Sequence, residues 1–166
     1  MDGNNQLIAD VARLLSSRGI TLVTAESCTG GMIAAELTGV PGSSTWFEGA
    51  FVTYRLSAKI RMIGVQQQTL DSHGAVSEPT AREMAEGALA ACDAGVSVSV
   101  TGVAGPDGGD LLAPVGTVWF AWAMADPQPQ CVHSARHQLS GNRAEVRQQA
   151  VAIALAGVQA ILRETP

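Results

Sequence analysis

At 166 residues, with 46% apolar and only 4% aromatic side chains, the chain is long enough for one domain with a sizeable core of Val, Ile, Leu and Ala. A formal net charge of −5 with singly scattered arginines excludes a basic nucleic-acid surface, and no apolar run is long enough to span a bilayer. Three cysteines (Cys28, Cys92 and Cys131) form no CxxC pair and no even framework, which reads as free thiols in a reducing cytoplasm.

Leu7, Ile8, Val11, Leu14 and Leu15 recur at helical spacing, and Gly19 follows as a C-cap, so the first predicted element is a helix. Its leading residues carry Asp2 and no uninterrupted apolar core, unlike a signal peptide. ITLVTA (20–25) reads as a short buried strand and GGMIAAELTGV (30–40) as a helix that stops at Pro41-Gly42. FEGAFVTY (47–54) is strand-like and SAKIRMIG (57–64) a short helix. Ser77-Glu78-Pro79 opens a further helix to about Ala91, with serine as cap and proline in the first turn.

VSVSVT (96–101) alternates as a strand, and residues 102–114 form a glycine- and proline-rich loop. GTVWFAWAMA and CVHSARHQL follow as a predicted hairpin, and a helix over 142–164 closes the chain. Helices and strands alternate early and a hairpin comes late. The pattern predicts a single α/β domain over residues 1–166, a three-layer α/β/α sandwich with a mixed β-sheet, with no linker or internal repeat.

Glu26-Ser27-Cys28-Thr29-Gly30-Gly31 stands where the first strand gives way to a helix. A helix N-terminus offers unpaired N–H groups and a positive dipole end, which suit a phosphate or a developing oxyanion. Gly30 and Gly31 would let the backbone approach a ligand, with Ser27 or Cys28 aimed at the same spot. The same residues also fit an ordinary N-cap followed by closely packed glycines. The chain has nine arginines and a single lysine, Lys59. Arginine stays protonated, so Lys59 is the only side-chain amine able to serve as a general base, and Ser–Lys pairs are one known way to activate a hydroxyl. It is equally readable as a surface residue in an arginine-rich composition.

Tyr54, the only tyrosine, lies five residues earlier and could flank the same pocket or simply pack. Thr101-Gly102-Val103-Ala104-Gly105-Pro106 follows a strand and can form a second anion-binding or substrate-shaping loop, although it is neither a P-loop nor GxGxxG. Cys131, His133 and His137 share strand parity and hence one predicted face, too few ligands for a metal site. Cys28 lacks an obvious activating neighbour, which leaves Ser27 as the preferred nucleophile.

The ordered set TAESCTGG, TY....K, V-S-E-P, TG.AGP.GG, PVGTVW and G.R..VR resembles the C-terminal domain of the CinA family, the nicotinamide-nucleotide amidases, from about residue 5 to residue 163. The resemblance implies metal-independent, cofactor-free hydrolysis of nicotinamide mononucleotide to nicotinic acid mononucleotide and ammonia. It implies Ser27 as nucleophile, with Lys59 and Tyr54 as activating partners. Substrate contacts are expected from Cys28, Thr29, Gly30, Gly31, Thr101, Gly102 and Gly105, and a phosphate contact from Arg143. It further implies a cytoplasmic homo-oligomer acting without nucleic acid or membrane, as the stand-alone amidase lacking the domain that precedes it in longer members. This chain reads YRLSAK where members commonly read YSNEAK, which brings in Arg55, Leu56 and Ser57, and GPDGG where they read GPGGG, which brings in Asp107. A pyridine-nucleotide-binding module without turnover, and an amidase for another small carboxamide, are the competing readings.

Overall fold

The computed structural model describes residues 2–166, so Met1 of the predicted 1–166 domain lies outside the described residues. Helix α1 (Asp2–Arg18) leads into strand β1 (Leu22–Glu26), followed by α2 (Met32–Thr38), a 3₁₀ turn (Ser43–Thr45) and β2 (Phe47–Val52). Three helices then run in succession: α3 (Leu56–Ile63), α4 (Gln67–His73) and α5 (Glu78–Ala90). Strands β3 (Val96–Gly102), β4 (Thr117–Met124) and β5 (Gln130–Gln138) precede the closing helix α6 (Arg143–Glu164). The sheet order is β2-β1-β3-β4-β5. β1 is parallel to β2 and β3, while β4 is antiparallel to β3 and to β5, giving the mixed sheet expected.

Each face of the sheet carries its own core. On one side Leu22, Val98, Val100, Val118, Phe120 and Trp122 pack with residues of α1, α2 and α6 such as Ile8, Leu37 and Leu155. On the other, Val23, Ala25, Ala121 and Ala123 pack with Ile63, Leu70, Met84 and Ala88 of α3, α4 and α5. Burial on both faces explains β3, whose alternation VSVSVT would ordinarily mean one wet face. Its polar residues face α5 instead. Ser97 Oγ donates to the Ala85 carbonyl at 2.7 Å and Ser99 Oγ to the Ala81 carbonyl at 2.6 Å, so neither hydroxyl is buried without a partner.

Helix α4 has no counterpart in the sequence pattern. QQTLDSH has one apolar residue, Leu70, and so no period to detect; it is held by that residue and by Glu83, which accepts from Gln66 N and Thr69 Oγ1. The shared face expected for Cys131, His133 and His137 does not form. The β4–β5 register shifts between Trp122 and Ala123, so His133 pairs with Trp122 and Cys131 with Ala123, on opposite faces. His133 stacks on Trp122 and His137 meets Phe120 edge-on, while Cys131 joins the α5 side.

The arrangement fixes where a site can be. The connection from β1 to β2 carries α2 on one face, and that from β2 to β3 carries α3–α5 on the other. The carboxyl ends of β1, β2 and β3 therefore open a crevice where the winding reverses, the usual ligand position in an open α/β sheet. Helix α6 starts beside it, with Asn142 and Glu145 forming a capping box worth about 1 kcal/mol.

Candidate active site

A cleft of about 310 Å³ lies at those carboxyl ends. Of the residues expected at the site, Ser27, Cys28, Tyr54, Lys59, Thr101, Gly102, Gly105 and Arg143 line it. Thr29, Gly30 and Gly31 do not, and the reason is local chemistry.

Glu26, the last residue of β1, is fully buried on the α2 side of the sheet. Its carboxylate accepts five hydrogen bonds: from Thr24 Oγ1 at 3.1 Å, Thr29 Oγ1 at 2.8 Å, and the backbone N–H groups of Gly31 at 2.9 Å, Ile33 at 3.2 Å and Ala34 at 3.0 Å. The anion expected at the start of α2 is thus the protein's own side chain. A ligand cannot use those donors. Gly30 and Gly31 adopt φ of +58° and +97°, a conformation other residues rarely hold, so they serve the turn and not a ligand. The Gly30 N–H is also spent, on the Ser27 carbonyl at 3.0 Å.

What remains free in the turn lies one step earlier. Among the described residues the backbone N–H groups of Cys28 and Thr29 have no hydrogen-bond partner. Cys28 lines the cleft, and an unpaired N–H there is rare enough to mark a place for a ligand oxygen, whereas Thr29 has no exposed surface and stands behind it.

The nucleophile and base candidates meet directly. Ser27 follows β1, and Lys59 sits one turn into α3, only 1% exposed. Lys59 Nζ is 2.9 Å from Ser27 Oγ, 2.7 Å from the Thr53 carbonyl and 3.1 Å from the Tyr54 carbonyl. The strand expected to reach residue 54 ends at Val52, which leaves those two carbonyls out of the sheet ladder and available to the amine. A neutral amine has two N–H donors and one lone pair. With both donors on backbone carbonyls, the lone pair faces the serine hydroxyl.

Burial pushes the Lys59 ammonium down from 10.5 to about 8. Arg55 is not needed for this and lies exposed at the start of α3. Cys28 offers no counter-charge near neutral pH, because burial pushes its thiol up to about 11. That also makes it a poor nucleophile.

Tyr54 touches Lys59 through its carbonyl, while the residue as a whole is 57% exposed at the rim. There its hydroxyl accepts from Arg143 Nη2 at 3.1 Å. Arg143 Nη1 also donates to the Gly105 carbonyl at 2.8 Å, tying α6 to the loop after β3. The hydroxyl of Thr101 lies deeper and donates to the Ala75 carbonyl at 2.8 Å. Asp107 lines the cleft, whereas Leu56 and Ser57 are exposed and stand outside it.

Two residues escape sequence reasoning, Glu26 and Arg147. Arg147 Nε donates to the Cys28 carbonyl at 3.0 Å and its Nη2 to the Thr29 carbonyl at 3.1 Å. The only trace of it in the sequence is the second arginine of G.R..VR. No three of His, Cys, Asp and Glu come together as a metal-ligand set among the described residues, and no described helix is long and apolar enough to cross a membrane.

Comparison with known proteins bears on the family and the fold. The nicotinamide-nucleotide amidohydrolase PncC of Escherichia coli K12 is 53% identical over 150 residues, covering 90% of this chain and 89% of its own. The protein of the same name from Enterobacter agglomerans is 47% identical over 160 residues, covering 96% and 94%. The crystal structure of the competence damage-inducible protein A (ComA) from Klebsiella pneumoniae superposes with a TM-score of 0.91 at 39% identity, over 98% of this chain and 99% of that one. Residues 4–162 match the profile of the CinA C-terminal domain, and the chain belongs to that family.

Proposed function

We propose that the protein hydrolyses the carboxamide of nicotinamide mononucleotide, yielding nicotinic acid mononucleotide and ammonia, through a Ser–Lys mechanism within pyridine-nucleotide recycling. The observation that carries this reading is the buried 2.9 Å contact of Lys59 Nζ with Ser27 Oγ, its other two contacts being backbone carbonyls. The PncC relatives, named for a nicotinamide-nucleotide amidohydrolase, supply the substrate class.

Ser27 Oγ attacks the carboxamide carbon as its proton passes to neutral Lys59. The C–O bond forms, the carbonyl π pair moves to oxygen, and the resulting oxyanion is met by the free N–H of Cys28. Lys59 returns the proton to the leaving nitrogen, the C–N bond breaks and ammonia departs. Water, deprotonated by the same amine, then adds to the acyl-serine; the C–Oγ bond breaks, Lys59 returns the proton to Ser27 Oγ, and the acid departs as its carboxylate with loss of a proton to solvent. Arg143 keeps three of its five N–H donors after bonding Tyr54 and Gly105, and these grip the nucleotide phosphate. Tyr54 orients that guanidinium at the rim, and Thr101, Gly102 and Gly105 shape the wall against the pyridine and ribose. The proposal includes action of residues 1–166 as a single amidase domain in a cytoplasmic homo-oligomer, without metal, cofactor or nucleic acid; the three free thiols support the compartment.

Incubation with nicotinamide mononucleotide, followed by mass spectrometry and ammonia detection, tests the reading. Stoichiometric acid mononucleotide and ammonia are expected. Binding without ammonia would mean a nucleotide-binding module, and preferential release from free nicotinamide or from the dinucleotide would mean a different amidase.

A further inference from the structure

We infer that Asp107 is a specificity-determining residue: from the wall of the cleft its carboxylate favours the positively charged ring of an N-ribosylated pyridine over an uncharged ring of the same outline. The inference rests on the substrate class proposed above and deepens it, by naming the group that senses the ring's charge.

Among the described residues three charged side chains line the cleft: Lys59, Arg143 and Asp107. Lys59 lies at the floor, 2.9 Å from Ser27 Oγ, and acts as the neutral base. Arg143 lies at the rim, bonded to Tyr54 and to the Gly105 carbonyl, and grips the phosphate. Asp107 stands on the third side. It is the one acidic residue of the lining, and between Gly102 and Gly109 the one lining residue with a polar side chain. It is exposed, and among the described residues its carboxylate joins no ion pair and accepts no hydrogen bond. It is also the residue that sets GPDGG apart from GPGGG. The backbone admits it without strain: Gly105, Gly108 and Gly109 hold φ of +80°, +88° and +80°, whereas residue 107 does not take a left-handed φ.

The charge layout of the substrate complements that of the cleft. Bonding ribose to the pyridine nitrogen uses its lone pair and leaves the ring with a full positive charge, while the phosphate is anionic. With the carboxamide at Ser27 and the phosphate at Arg143, the ring lies between floor and rim, against the loop wall. Without Asp107 that wall would offer the cation only apolar and backbone groups, and the nearest fixed charge, Arg143, would have the wrong sign. With it, each charge of the zwitterion meets its opposite. Asp107 takes no part in setting the base, since burial lowers the Lys59 amine and only Cys28 opposes it.

The test measures binding of oxidised and of reduced nicotinamide mononucleotide by titration calorimetry, on the full chain carrying Ser27→Ala so that neither ligand is consumed. The two share carboxamide, ribose and phosphate, but the reduced dihydropyridine ring is uncharged. Any effect of Asp107 on the phosphate is therefore common to both and cancels in the ratio of affinities. Adding Asp107→Asn, which removes the charge at nearly constant shape, is expected to lower the oxidised-over-reduced ratio about fivefold, the scale of one exposed charge pair. Asp107→Gly should do the same. The ratio of the Asp107 protein should also shrink as salt is raised from about 0.05 M to about 1 M. Arg143→Ala, by contrast, should weaken both forms alike through the shared phosphate.

A ratio that stays within about twofold of its parent in both Asp107 variants would overturn the inference. Equal weakening of the two ligands would overturn it as well, since that would mean a hydrogen bond to the ribose hydroxyls and no sensing of the ring's charge. An Asp107-dependent ratio, in a protein whose wild type releases no ammonia, would sink the hydrolysis and leave this inference standing. Binding of neither mononucleotide would sink both.

Discussion

Two glycine-bearing segments face each other across the cleft, the turn after β1 (residues 26–31) and the loop after β3 (residues 102–116), and they are built on opposite principles. The first is tied at almost every polar atom, by the five-fold bonded Glu26 from below and Arg147 from the side. The second is held at its base, where Val103 N meets the Thr117 carbonyl and Gly116 N the Val103 carbonyl, and at its tip, where Asp110 accepts from Leu112 and Ala113. Between them it leans on three side chains, Arg143 at the Gly105 carbonyl, Arg136 at the Leu112 carbonyl and Gln138 at the Val115 carbonyl, and Leu111 and Leu112 stand out in solvent. Chemistry that needs fixed donors belongs with the first segment, and grip on a nucleotide with the second. Damage to the turn should therefore appear in kcat and damage to the loop in KM.

Ser27→Ala breaks that comparison most severely. It should abolish turnover, by on the order of 10⁴-fold or more, with an unchanged melting temperature, because a lost hydroxyl leaves little cavity. Cys28→Ala, its neighbour, should stay within roughly tenfold, given a thiol held protonated by burial. A dead Cys28→Ala enzyme with an active Ser27→Ala would reverse the assignment.

Lys59→Arg comes next and should match Lys59→Ala in damage, since arginine keeps the charge but cannot release its proton. Lys59 also links the site to stability. Its folded pKa of about 8 lies below the unfolded 10.5, so the unfolded chain binds more protons between those values. Its contribution is full above pH 10.5 and is lost as pH falls to about 8, up to about 3 kcal/mol in all. Denaturant titrations across that window should show wild-type stability rising with pH relative to Lys59→Met. Parallel curves would mean the amine is not depressed.

Glu26→Gln sharpens the comparison from below. The amide would set N–H groups against N–H groups, and a loss of roughly 2–4 kcal/mol in stability is expected, with kcat falling about 10-fold or more. Steady-state kinetics on the folded fraction reads this directly; a kcat equal to wild type would separate the buried carboxylate from catalysis. Arg143→Ala should do the converse, raising KM about 10-fold or more while kcat moves little. The smallest effect is expected from Asp110→Ala, which frees only the loop tip and should change KM by no more than about threefold.

Much of the fold and of the site is legible in the sequence itself. The lone lysine and the ESCTGG turn point to Ser27 and Lys59, because scarcity leaves one amine and a strand-to-helix junction gives it a target. The layered fold follows from alternating periods. What stays hidden depends on contacts remote in sequence or on single-residue shifts of register. Glu26 reads as one more polar residue until five donors converge on it, and Arg147 reaches the turn across more than a hundred residues. The Cys131–His133 separation comes from one bulge that parity counting cannot see, and α4 has no apolar period at all. The expectation that Gly30 and Gly31 contact substrate fails on the same ground: an internal carboxylate has already taken the helix N-terminus.

The dependence of kcat/KM on pH tests most directly whether a neutral, buried Lys59 activates Ser27. Measured on nicotinamide mononucleotide across roughly pH 6 to 10, wild type should rise with pH through a single apparent pKa near 8, and Lys59→Arg should show no rise and almost no activity. A wild-type profile flat through pH 8, or an active Lys59→Arg enzyme, would contradict the account and move the search for the base away from position 59.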